Sequence, residues 1–279
     1  MTVGSIELEA MTPEHLDGAL ALSRQAGWPH RRADWELAQA LSQGVVAVED
    51  GRVVATTLMT PYGDDAGTIN MVVVDEAARG RGLGRMLMEA ALARAGARTC
   101  YLVATPEGLP LYEKLGFVAT GTIAQHQGEA APVGAPDGVS WAEAHDHPRL
   151  ASLDRAAFGH DRSALMQALR ATARFAVLRE GSAVEAFAAI RPFGRDLVIG
   201  PVVARSAAEA KLLVGFLLAH HRGRFVRLDT DSATGLADWL VERGLARVGG
   251  GIAMRRSGEP PRARAGRHRT YALVNQALG

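Results

Sequence analysis

An α/β chain of two tandem domains is the fold class this sequence predicts, and three observations carry the prediction. The chain has 279 residues, about right for two compact domains. An apolar run from Met71 to Val74 leads through a short polar connection into Arg79-Gly80-Arg81-Gly82-Leu83-Gly84-Arg85 and then a helix-like segment, which reads as strand, glycine-rich loop, helix. The second half of the chain then repeats the order of helices and strands seen in the first.

Taken in order, Ile6 to Ala10 alternates apolar and acidic residues and reads as a strand. Thr12 can cap a helix that carries Pro13 and Glu14 in its first turn and runs to about Ala26. After Gly27, Trp28, Pro29, His30, Arg31 and Arg32, Asp34 caps a second helix through Leu41. Val45 to Glu49 and Val53 to Met59 are strands joined by the hairpin signal Asp50-Gly51, and the strand Thr68 to Val74 follows the turn Gly63 to Gly67. Behind the glycine-rich loop come a helix to about Ala95, a strand at Cys100 to Ala104, and a closing strand, Val118 to Ala124, that runs on to His126. Gly128 to Gly138 is rich in Gly, Ala and Pro and reads as a linker. The domains are therefore expected at 1–127 and 139–279, with 128–138 between them.

The glycine-rich loop carries the chemistry. Glycines let a backbone approach a ligand and turn its N–H groups toward it, and the helix behind adds the positive end of its dipole, so such a loop suits a phosphate. A nucleotide P-loop needs Lys and then Ser or Thr after its last glycine, and Arg85 and Met86 stand there. The dinucleotide fingerprint GxGxxG fails as well, because Arg85 or Leu87 occupies its third glycine position. The spacing that fits is RxxGxG, met by Arg79, Gly82 and Gly84 after a strand ending in Val74 and Asp75. This resembles the coenzyme A pyrophosphate loop of the GCN5-related N-acetyltransferase (GNAT) superfamily. A second stretch, Leu111, Tyr112, Glu113, Lys114, Leu115, Gly116 and Phe117, is similar to the family segment that ends in a tyrosine and a Gly-Phe pair. The sequence departs from the pattern at Thr105, where many members carry an asparagine that contacts the cofactor.

The resemblance implies, in each domain, a mixed and mainly antiparallel sheet flanked by helices. It implies acetyl-CoA as co-substrate, no metal, and acetyl transfer to the amine of a small molecule by direct attack in a ternary complex. Val72, Val73 and Val74 would belong to a bulged strand that splays from its neighbour, pairs with the pantetheine arm and lends one N–H to the thioester carbonyl. Arg79, Gly80, Arg81, Gly82, Leu83, Gly84 and Arg85 would hold the pyrophosphate, with Thr105 nearby, and Tyr112 would protonate the departing thiolate. The loop joining the first two helices would overhang the acceptor, which makes Trp28, His30, Arg31 and Trp35 candidates for substrate contact. For the base, Glu107 and His126 are candidates beside ordered water. The alternative from another class is a non-catalytic acyl-CoA-binding regulatory protein.

In the second half, helices are expected at about Pro148 to Phe158, Arg162 to Ala171, Ala207 to His220 and Ala233 to Arg243. Strands are expected at Phe175 to Arg179, Val184 to Pro192, Leu197 to Ala204, Phe225 to Asp229 and Arg247 to Arg255. The loop chemistry is missing there: Arg205, Ser206, Ala207, Ala208, Glu209 and Ala210 contain no glycine, and Leu240 stands in the place of Tyr112. A second, non-catalytic GNAT-like domain is expected.

Composition narrows the remaining classes. Apolar residues make up 48% of the chain, enough for a sizeable core, and a net charge of +1 gives no global pull toward nucleic acid or membrane. The arginines between Arg255 and Arg269 are a basic segment among Pro and Gly, read as a solvated connection to the apolar piece Tyr271 to Leu278 rather than as a nucleic-acid contact. Cys100 is the sole cysteine, so no intrachain disulfide is possible. No leader or membrane span is recognisable, and a cytoplasmic monomer or homodimer is expected.

Overall fold

The computed structural model describes residues 6–131, 134–256 and 266–279. The first half runs β1 (Ile6–Ala10), α1 (Leu16–Gln25), α2 (Arg32–Ala40), β2 (Gln43–Glu49), β3 (Arg52–Tyr62), β4 (Ala66–Val74), α3 (Leu83–Ala95), β5 (Thr99–Ala104), α4 (Leu109–Lys114) and β6 (Val118–Glu129). The second runs β7 (Val139–Trp141), α5 (His147–Phe158), α6 (Ser163–Thr172), β8 (Arg174–Glu180), β9 (Ala183–Phe193), β10 (Asp196–Ala204), α7 (Ala207–His220), β11 (Phe225–Asp231), α8 (Ala237–Glu242), β12 (Ala246–Arg256) and β13 (Arg269–Ala272). No helix among the described residues is long and apolar enough to cross a membrane.

The thirteen strands found among the described residues form one sheet in the order β1-β2-β3-β4-β5-β12-β6-β11-β13-β10-β9-β8-β7. Most neighbours are antiparallel; β4 with β5 and β10 with β11 are the parallel pairs. The two halves exchange strands. β12 belongs to the second half in sequence but pairs with β5, Met254 opposite Leu102, while β6 of the first half pairs with β11, His126 opposite Leu228. β12 and β6 lie against each other in the middle. The expectation of a linker from Gly128 is thus corrected: β6 continues past His126 to Glu129 because two strands of the other half hold it.

Helices cover both faces. α3 buries Leu83, Leu87, Met88 and Ala91, the spacing of one helical face, onto the sheet. One core cluster joins Tyr62 and Ala66 to Leu150, Leu153, Leu165 and Phe187, so apolar packing also crosses between the halves. Two helix starts differ from expectation. A short 3₁₀ turn at Pro13–His15 precedes α1, with the Thr12 N–H donating to His15 Nδ1 at 3.0 Å. Asp34 lies inside the first turn of α2 and accepts from the Arg31 N–H at 2.9 Å, because that orphan donor needs an acceptor three residues on. Arg262 and Arg264 of the basic segment lie outside the described residues.

Candidate active site

Two distortions of β4 create the site. Thr56 faces Val73 and Leu58 faces Asn70, so β4 carries one extra residue between these pairs, and Met71 takes a positive φ of 51° there. The Thr56 hydroxyl steadies the bulge by donating to the Met71 carbonyl at 2.7 Å. On its other edge β4 pairs with β5 only from Ala66 to Thr68. Beyond Thr68 the strands part, leaving the β5-facing edge of Asn70 to Val74 without a strand partner among the described residues. An unpaired strand edge is a template for an extended ligand.

At the end of that edge stands the glycine-rich loop. Gly82 has φ +80° at the N-cap of α3, a left-handed conformation that only glycine adopts cheaply, and a methyl group on Gly80 or Gly82 would meet no atom within 4 Å. Gly84 serves packing instead: an added Cβ would lie 3.4 Å from Leu111 of α4. The arginine side chains are partly committed, Arg81 to Glu49 at 2.8 and 3.0 Å, Arg85 to Glu89 at 3.4 Å and Arg79 to Glu76 at 3.7 Å. What the loop presents is therefore its backbone, with the orphan N–H groups of the first turn of α3 behind it.

The gap between β4 and β5 opens into a cavity of about 270 Å³ that both halves line. The first half contributes Trp28, His30, Asn70, Val72, Thr105, Tyr112 and Gln125; the second contributes Phe193, Arg227, Gly250, Asn275 and Gln276. Tyr112 is buried, packs its ring on Phe117 and over Gly108, and makes no hydroxyl hydrogen bond among the described residues. Burial pushes its phenol up to about 12. Thr105 accepts the Gly108 N–H at 3.3 Å and so fixes the turn that launches α4.

His30 hangs from the loop between α1 and α2, edge-on to Trp28, Trp35 and Phe193. Burial lowers its pKa from 6.5 to about 4, a nearby Asp34 opposes the fall, and Arg227 adds to it. The imidazole is neutral at neutral pH. Trp28 shares the cavity wall with it, but Arg31 and Trp35 do not: Arg31 is bound to Asp34 at 2.8 Å, and Trp35 is fully buried with its indole N–H on Ser23 Oγ at 2.9 Å. Neither candidate base lines the cavity. Glu107 is fully exposed and held below the usual carboxylate range by its own N–H and the Thr105 hydroxyl; His126 is fully buried within β6, which lowers its pKa. Among the described residues no group of three His, Cys, Asp or Glu is arranged to hold a metal ion.

Several lining residues escaped the sequence reading. Asn70 is a polar interruption in an apolar strand, Arg227 stands between apolar residues in Phe225–Asp231, and Asn275 and Gln276 interrupt the last apolar piece. Those patterns were the available signals. β13 brings Asn275 and Gln276 to the cavity by entering the gap where β10 and β11 part, pairing with both. Tyr62 then holds the following segment by donating to the Leu278 carbonyl at 2.5 Å, and Arg162 donates to the carbonyls of Leu278 and Gly279 at 3.3 and 2.7 Å.

Comparison with known proteins gives the arrangement its relatives. An acetyltransferase (GNAT) domain family matches residues 40–119, and a second family of the same description matches residues 150–271. The crystal structure of a candidate acetyltransferase from Pyrococcus horikoshii superposes with a TM-score of 0.82 over 98% of this chain and 96% of its own, at 19% identity. A GCN5-related N-acetyltransferase from Sphaerobacter thermophilus gives 0.65 over 91% and 96% at 18% identity. A tandem GNAT protein from the clavulanic acid biosynthesis pathway gives 0.65 over 92% and 99% at 16% identity. At those identities the likeness is one of fold. YitH of Bacillus subtilis (strain 168), described as an uncharacterized N-acetyltransferase, is 30% identical over 98% of both chains. A match of that depth along the whole length makes this chain a member of the GCN5-related N-acetyltransferase (GNAT) family, in its tandem form.

Proposed function

We propose that the protein transfers an acetyl group from acetyl-CoA to the amine of a small molecule, with both substrates bound at once. The observation that carries this reading is the free edge of β4, which leads from the glycine-rich loop into a cavity where Tyr112 presents a hydroxyl without a hydrogen-bond partner among the described residues. The residues present fit the co-substrate: Gly80 to Arg85 offer N–H groups to a pyrophosphate, and Val72 to Val74 offer strand edges to an amide-bearing arm. The thioester supplies the activated acyl group.

The chain's own residues divide the remaining work. An N–H on the bulged edge of β4 would stabilise negative charge developing on the carbonyl oxygen, and the cavity walls hold the amine in place for attack. Tyr112, protonated throughout the neutral range, gives its proton to the leaving sulfur. Asp and Glu are missing from the described cavity lining, so the amine proton leaves through water.

The second half is read as non-catalytic. β13 occupies the gap between β10 and β11 that corresponds to the free edge of β4, and Ser206 to Ala210 lack glycine. Thiol release from acetyl-CoA, measured against amino acids, polyamines, aminoglycosides and aryl amines with calorimetric CoA binding alongside, tests the whole reading. Turnover with one class supports it. CoA binding without turnover on any amine would favour a regulatory acyl-CoA-binding protein, and absence of CoA binding would overturn the assignment of the loop.

A further inference from the structure

We propose that the acceptor amine also carries a carboxylate, received in the cavity by Arg227 Nη1 and the Nε2–H of His30. The proposal rests on the acyltransferase reading of the same cavity and names its substrate class.

Arg227 is set in place by Asp229. Its Nε and Nη2 each donate to the fully buried carboxylate at 3.0 Å, and Gln276 Nε2 donates to the same carboxylate at 2.8 Å. That bidentate grip uses one edge of the guanidinium and leaves Nη1 without a partner among the described residues. His30 is set by a chain of hydrogen bonds with one consistent direction. The Trp35 indole N–H can only donate, and it donates to Ser23 Oγ. Ser23 is fully buried, so its own proton needs an acceptor, and His30 Nδ1 lies 3.2 Å away. A neutral imidazole that accepts at Nδ1 carries its proton on Nε2.

Phe193 ties the two donors together, its ring centroid 5.7 Å from that of His30 and 5.4 Å from Arg227 Cζ. Behind it Arg191 is 3% exposed, with Nε and Nη2 unpartnered among the described residues and the Asp34 carboxylate 3.9 Å from its Nη1. A buried cation with incomplete compensation favours an anion nearby. The same cavity is also lined by Asn70, whose Nδ2 is engaged by Thr60 at 2.9 Å and whose buried Oδ1 has no partner among the described residues. Orphan donors and an orphan acceptor in one cavity match a ligand with an acidic group and an N–H group.

The test pairs each amino acid with its primary amide as substrate, and each N-acetyl amino acid with its amide as a ligand titrated calorimetrically into the CoA-bound protein. The carboxylates should win by about tenfold or more in kcat/KM and in affinity. Arg227→Met combined with Asp229→Asn removes both buried charges together and should abolish the preference. His30→Gln, which keeps a side-chain donor, should retain more of it than His30→Phe. Equal treatment of acid and amide, or a preference that survives the double variant, overturns the proposal even if turnover is robust. A carboxylate preference in binding with no turnover on any amine would uphold the pocket assignment while removing the enzyme reading, and failure of both measurements would remove both.

Discussion

Tyr112 and His30 are shifted by the same cause in opposite senses, since burial disfavours the charged form of each. For Tyr112 the result is a proton that stays on the phenol across the working range. Tyr112→Phe should lower kcat by about a hundredfold or more while CoA affinity by calorimetry stays unchanged. For His30 the result is a pH-dependent stability. Between its ordinary value of 6.5 and its folded value of about 4, the unfolded chain takes up a proton that the folded chain refuses. The contribution is fully present above pH 6.5 and is lost as the pH falls toward 4. Melting temperature followed across that window should drop in the native protein and drop less in His30→Gln; parallel curves would show that another group sets the slope. Trp28, His30 and Tyr112 were legible because each sits in or beside a recognisable local pattern. Arg227 was not, because an arginine in a strand shows its worth only when its neighbours, Phe193 and Gln276, are known.

Two elements depend on glycine for different reasons. In the loop before α3, Gly82 supplies a left-handed residue with open space around it. Gly82→Ala should therefore leave the fold intact at a cost of about 1–2 kcal/mol and weaken CoA binding through the altered direction of the loop N–H groups, which calorimetry would register. In β12, Gly250 has φ +142° and an added Cβ would lie 1.9 Å from the Ile123 carbonyl oxygen. The clash is with backbone of β6, which cannot move aside without breaking the exchanged pairing. Gly250→Ala should cost about 3 kcal/mol or more in urea unfolding, and a loss under 1 kcal/mol would mean that the two strands slide past each other freely. The loop was readable from spacing alone. The need for glycine at Gly250 and Gly251 was not, because the tightness they relieve is imposed by strands from elsewhere in the chain.

On the scale of the whole molecule, the exchange of β6 and β12 makes the halves mutually dependent. Without the second half, β5 loses its partner β12 and β6 loses both of its neighbours. Scanning calorimetry should show one cooperative transition, and residues 6–131 produced alone should not reach a stable fold; two separable transitions would contradict this. The buried pair Asp154–Arg162, 1% and 0% exposed, links α5 to α6 and holds the segment that ends at Gly279. Asp154→Ala should cost about 3–5 kcal/mol, since it strands a buried guanidinium, and should also raise KM for the acceptor by loosening the wall that carries Asn275 and Gln276.

The sequence by itself determined the alternation of strands and helices, the glycine-rich loop with its tyrosine partner, and the likeness of the second half to the first. Each of these is written in residues close together in the chain, where turn chemistry, periodicity and motif spacing act. Only the tertiary structure decided that β6 and β12 change places, that β13 fills the gap in the second half, and that Arg227, Phe193 and Gln276 face His30 across one cavity. Those outcomes depend on which strand edges find partners. Edges are satisfied by backbone hydrogen bonds that any side chain permits, so the choice among them leaves little trace in the order of amino acids.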